Sequence, residues 1–238
     1  EIRLSLVGSE MCIRDSPMFR VIKASSLLLA TSIVSGCISQ PAAIVSAPLQ
    51  PAANEPTTYL VGAIGPQYLG GGGAATNLRL LIRKRGSING AAALWEGDPR
   101  PTPEDIHEPR AAGSVFVMPL KPGDYEFYNF QFWSMVYTPG LGSRLQSQEA
   151  REEFVLPLRL EAGKAYYIGE FRSVCSQVTQ CFFAWSNQMP RDAVIAQRQV
   201  PGLPDLQWMP LDLDKAKPFI LPVDKQTSPA NATAENHP

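Results

Sequence analysis

The residues able to do chemistry are few. The chain carries four cysteines and two histidines, His107 and His237. Histidine-based zinc sites and Ser/His/Asp triads each need well-placed imidazoles, so this inventory nearly excludes both. Cys175 and Cys181 flank the five residues Ser-Gln-Val-Thr-Gln, between two stretches that read as strands. Redox pairs commonly hold two intervening residues. Five fits a structural disulfide closing a hairpin in an oxidising compartment better, with two free thiols as the alternative. His107 has Glu104, Asp105 and Glu108 beside it in a Pro-rich stretch. Such a group can hold a divalent metal, but one histidine among loop carboxylates reads as a solvated surface, and no metal is expected. Gly70 to Gly73 are four consecutive glycines. A phosphate loop needs a following Lys-Ser/Thr and a helix N-terminus. Here Ala74-Ala75-Thr76-Asn77 leads into a strand, so the glycines read as a flexible connection.

The densest aromatic stretch is Tyr125, Phe127, Tyr128, Phe130, Phe132, Trp133 and Tyr137. Strand alternation buries most of these rings. Tyr125 and Phe127 share one parity and Phe130 and Phe132 the other, which predicts a bulge near Tyr128–Asn129. With that slip, Tyr128 and Trp133 turn outward and become the candidate ligand or partner surface. Arg191-Asp192 opens a short helical pattern. There the acidic side chain reads as a complement to the helix dipole.

The composition limits the partners. Of 238 residues, 21 are basic and 22 acidic, for a net charge of −1. That balance argues against a nucleic-acid-coating protein, which carries a basic stripe. Hydrophobic residues are 45 %, enough to build a core, and nothing in the residue inventory calls for a cofactor. Neither a catalytic residue nor a convergent acid pair stands out, so the chain reads as non-enzymatic.

Several segments lie outside the domain proper. Residues 1–16, EIRLSLVGSEMCIRDS, resemble translated sequencing-adapter read-through at the ends of assembled open reading frames. Residues 1–17 are therefore set aside as an extension, with Met18 as the expected start. Arg20 and Lys23 then precede the apolar run Ala24–Val34, 11 residues long. That is too short to cross a bilayer core of about 30 Å and fits a secretory signal over 18–36. The run ends in Val34-Ser35-Gly36-Cys37, which resembles the lipobox of bacterial lipoprotein precursors. The resemblance implies cleavage before Cys37 and acylation of its sulfur, with usually a further chain on its amine. Two or three chains anchor a protein durably where one does not. Ile38 follows the acceptor, where the enteric inner-membrane retention pattern has Asp. The implied location is the bacterial cell envelope, on the outer membrane facing the periplasm. Residues 37–56, rich in Pro and Ala, are expected to be the anchor and a stiffened tether. Residues 224–238 are polar and aperiodic and are expected to be a disordered tail.

The domain, 57–223, reads as mainly β. Strands are expected at Thr58–Ile64, Asn77–Lys84, Ala91–Trp95, Ser114–Leu120, Tyr125–Val136, Phe154–Leu160, Ala165–Val174 and Cys181–Trp185, followed by late extended segments at Leu206–Leu213 and Phe219–Val223. Gly97–Ala112 reads as a long loop. Pro157 confines its strand to an edge or a bulge. A helix is expected over Pro190–Gln199, with Met189, Ala193, Ala196 and Val200 on one face. The sum is an antiparallel β-sandwich of about eight short strands with one short C-terminal helix. Two phrases, VMPLKPGDYEF at 117–127 and LRLEAGKAYYIGEF at 158–171, resemble the strand–turn–Tyr-strand units of transthyretin-like and carboxypeptidase-regulatory-like sandwiches and of uncharacterised envelope lipoproteins. This resemblance implies a fold and no activity. The expected function is a membrane-anchored binding or assembly module for an envelope protein or glycan. A carbohydrate-binding module using the 125–137 strand is the alternative, and an envelope hydrolase is the second alternative.

Overall fold

In this computed structural model, the described residues are 40–68, 77–97, 101–138, 140, 142–150, 153–175 and 181–223. The expected signal over 18–36, Cys37, Gly70–Gly73 and the expected tail at 224–238 lie outside them. Among the described residues there are thirteen strands: β1 (Ala43–Val45), β2 (Thr58–Pro66), β3 (Asn77–Lys84), β4 (Gly90–Glu96), β5 (Ile106–Glu108), β6 (Ala111–Leu120), β7 (Gly123–Thr138), β8 (Gly142–Glu149), β9 (Leu156–Leu160), β10 (Ala165–Cys175), β11 (Cys181–Ser186), β12 (Leu206–Trp208) and β13 (Ile220–Pro222). One helix, α1 (Met189–Gln199), separates β11 from β12.

The strands form two sheets. The first runs β1-β4-β3-β7-β8, with β9 paired to the early part of β7. The second runs β13-β11-β10-β2-β6-β5, with β12 beside β10. Alternation drives their packing. Leu78, Leu80 and Ile82 of β3, and Leu156, Leu158 and Leu160 of β9, all turn into the space between the sheets. Opposite them stand Leu60 and Ile64 of β2, Phe116 of β6 and Phe171 of β10. Phe130 and Phe132 of β7 meet Phe183 of β11 at ring separations of 6.0 and 4.8 Å. The outer face of the second sheet is also apolar, through Val61, Ala63, Val115 and Tyr167, and α1 lies on it with Ala196 innermost.

The sandwich class and the C-terminal helix are as expected. The strand count and the pairing differ. β10 runs parallel to β2 and to β12, and β11 runs parallel to β13, so the second sheet is mixed rather than antiparallel. The 37–56 segment is not a tether throughout. Ala43–Val45 pairs with Ala91–Ala93, Leu49 is 2 % exposed, and Lys121 N–H donates to Leu49 C=O at 2.9 Å. Its apolar side chains fill the end of the sandwich, which outweighs the local disfavour of a Pro/Ala composition. The stretch read as one long loop at 97–112 contains β5, antiparallel to the start of β6. Pro157 does lie on an edge strand, since among the described residues β9 pairs only with β7.

Glycine is required at two places. Gly169 has φ +110° and lies where the β10–β2 register shifts. A Cβ there would fall 2.3 Å from Trp185 Nε1, the atom that donates to Ile168 C=O at 2.8 Å. At Gly65 a Cβ would fall 2.0 Å from the Ala112 carbonyl oxygen.

Candidate functional site

The site predicted from the aromatic stretch begins with the bulge. Leu81 of β3 stands opposite Asn129 and Ile82 opposite Phe127, so Tyr128 is the extra residue. Asn129 Oδ1 accepts from Phe130 N–H at 2.7 Å and Ala150 N–H at 3.1 Å, which satisfies donors near the break in the ladder. Phe127 and Phe130 can then both face the core, while Tyr128 and Trp133 turn to the outer face, each half-buried. This is the arrangement the parity slip implies.

β3 supplies the partners. Arg79 and Arg83 are four residues apart, so both project to that same outer face. The Arg83 guanidinium lies 4.4 Å from the Tyr128 ring centre, and that of Arg79 lies 5.0 Å from the Trp133 ring. Carboxylates hold both cations. Arg83 Nε donates to Glu126 at 2.7 Å and Nη1 pairs with Glu153 at 3.0 Å, while Arg79 Nη2 donates to Glu96 at 3.0 Å. The bond to Glu126 leads the effects that raise the Arg83 pKa. Burial raises the Tyr128 hydroxyl, against the opposing Arg83 charge. The result is a strip of two arginine–aromatic stacks, each fixed by acids. Ring faces of this kind stack on flat apolar groups, and guanidinium edges donate to hydroxyl or carboxylate oxygens.

The other sequence candidates are placed apart from this strip. The Sγ atoms of Cys175 and Cys181 lie at bonding distance, 2.14 Å, closing the β10–β11 hairpin. His107 is exposed and 3.3 Å from Glu104. Its other acidic neighbours turn elsewhere: Asp105 Oδ2 accepts from Val115 N–H at 3.0 Å, and Glu108 pairs with Arg191 at 2.7 Å. No group of three metal-ligating side chains exists among the described residues.

Arg191-Asp192 has a larger role than a dipole complement. Asp192 is 0 % exposed and accepts from Tyr167 Oη at 2.5 Å and from Arg191 Nε at 2.8 Å. Arg191 also reaches Glu170 at 2.6 Å, and Glu170 pairs with Arg172 at 2.5 Å. Arg172 in turn donates to the Ala112 carbonyl. Burial pushes the Asp192 carboxyl up, against its bonds from Arg191 and Tyr167. Burial also raises the Tyr167 hydroxyl, with the Asp192 charge adding to it. Burial alone would depress Arg191, but its bonds to Asp192 and Glu170 outweigh it, and the pKa is raised. This network pins α1 to the outer face of the second sheet. Only the Arg-Asp pair was visible in the sequence, because its partners come from β5 and β10.

No protein-family model, curated protein or solved structure matches the chain.

Proposed function

We propose that this protein is a bacterial envelope lipoprotein, held at the outer membrane through acyl chains on Cys37, whose folded domain is a non-enzymatic binding or assembly module. The observation that carries the reading is the order of Arg20 and Lys23, an apolar run of 11 residues, and Val34-Ser35-Gly36-Cys37. A signal with a small-small-Cys end is what an acylating and cleaving pathway requires. A disulfide-bonded pair in the domain is consistent with an oxidising compartment. Palmitate labelling tests the anchor. The wild-type chain takes up label and is processed, while Cys37→Ala accumulates as an unlabelled precursor. Label on the Cys37→Ala protein would overturn the assignment.

A glycan-binding reading is favoured by one specific observation. Tyr128 and Trp133 share an outer face with two arginines seated against their rings. In this reading each sugar stacks on the ring face away from its guanidinium, and the guanidinium N–H groups not held by carboxylates donate to ring or acid oxygens. A glycan array decides it. Binding that drops at least about fivefold in Tyr128→Ala and in Trp133→Ala supports the reading, since a stacked ring contributes about 1 kcal/mol or more. Flat titrations across the array would sink it.

A further inference from the structure

Among the described residues, strand β6 leaves part of one edge open. β5 covers it only over Ala111–Gly113. Beyond that point, alternate residues of an antiparallel strand turn their N–H and C=O toward the neighbour or away from it. Gly113 C=O accepts from Asp105 N–H at 2.9 Å, and Val115 N–H donates to Asp105 Oδ2 at 3.0 Å. Val115 C=O accepts from Gln199 Nε2 at 3.1 Å. These bonds all lie on the side away from β2, so the odd-numbered positions face outward. Val117 is next in that series. Its N–H and C=O have no partner among the described residues, and the following outward position, Pro119, has no N–H.

The edge of the opposing sheet behaves alike. Leu94 N–H donates to Ala42 C=O and Ser46 N–H to Gly90 C=O, which turns the even positions of β1 toward β4. Ala43 therefore directs its N–H and C=O away from its sheet, again with no partner among the described residues. Val45 C=O is taken by Gln50 Nε2 at 2.8 Å. Between the two edges lies a groove of about 570 Å³. Its walls include Val45, Pro51, Pro103, Val117 and Pro119, and Asp105 is the one charged residue lining it.

We propose that this groove is a strand-addition site for an extended, mainly apolar peptide segment of a partner protein, which pairs its backbone with Val117 and sets one lysine or arginine against Asp105. Unpaired main-chain groups on an edge are the template for such pairing. An acyl chain would leave the Val117 and Ala43 main-chain groups desolvated without partners, which disfavours it. Charge selects the basic residue. Burial raises the Asp105 carboxyl despite its bonds from Val115 and Gln199, so a cation brought beside it stabilises the ionised form. Asp105 and Gln199 already occupy the edge groups of Val115, so pairing starts at Val117 and the peptide runs toward Ala43.

The test uses the full chain and four defined probes: acetyl-Val-Lys-Val-Thr-Val-amide, the same peptide with norleucine for lysine, a version N-methylated at every backbone amide, and palmitate. Binding is read from the backbone amide resonances. The expected result is saturable shifts at Val117 and Ala43 with the lysine peptide, and weakening of at least about tenfold on N-methylation, which removes the pairing donors. Asp105→Asn is expected to abolish the preference for lysine over norleucine while leaving the norleucine peptide unaffected. Tyr128→Ala is expected to change neither. The proposal is overturned by an absence of shifts at Val117 at millimolar peptide, by equal binding of the N-methylated probe, by lysine selectivity that survives Asp105→Asn, or by shifts at Val117 with palmitate alone.

Discussion

Asp192 lies entirely out of water, and an ionised carboxylate there depends on its immediate neighbours. Tyr167 and Arg191 donate to it, while Glu170 opposes its charge. Cutting the side chain back in Asp192→Ala is expected to cost about 3 kcal/mol in urea unfolding, because Arg191 and Tyr167 lose a buried acceptor. The pH dependence has a definite sign. Because the folded pKa is raised, the native state holds this proton more tightly than the unfolded chain does. The contribution is fully present below an unfolded aspartate's value of about 4, and is lost as pH rises through the folded value. The stability of the wild type relative to Asp192→Asn should therefore fall between pH 3 and pH 7, as unfolding at a series of pH values would show. A rise over that range would contradict the account. The sequence revealed only part of this. The outward turn of Tyr128 and Trp133 was legible because strand parity is a local property, written in consecutive residues. Asp192 does stand in the first turn of α1 as read, but its buried partners were not legible, because Glu170 and Tyr167 approach it only after the chain folds back on itself.

At the scale of elements, legibility followed periodicity. β3, β9 and β10 alternate or run apolar over enough residues to declare themselves. β1 and β5 are three residues each, too short for a period to show. β8, Gly142–Glu149, is mostly polar and joins the sheet by backbone pairing with the later part of β7. The misreading of β1 has a measurable consequence. Leu49 follows it and is buried against the core. Leu49→Ala should destabilise the domain by about 2–5 kcal/mol, the range for a buried leucine. A residue in a solvated tether would change stability by less than about 0.5 kcal/mol. Chemical denaturation separates the two.

At the largest scale, the described residues form a two-layer sandwich with a helix on one outer face, and turn signals were enough to announce the two layers. They could not announce the parallel pairings, since a turn specifies only strands that follow one another. The Cys175–Cys181 bond joins β10 and β11 near the end of the second sheet. Reducing it should lower stability by about 2 kcal/mol for so small a loop, and the melting temperature by roughly 4–8 °C. Calorimetry with and without reductant measures this. The central position of β2 has a different kind of consequence. Thr58 and Lys164, at the start of the β2–β10 junction, are 106 residues apart in the chain. Before β10 is synthesised, β2 can pair with β6 alone, and the other side of a nine-residue apolar strand stands open. Long-range parallel pairing of this kind closes slowly. The nascent chain is therefore most prone to aggregate during the interval between those two strands, and a chaperone that shields β2 until β10 arrives would act where the hazard is greatest.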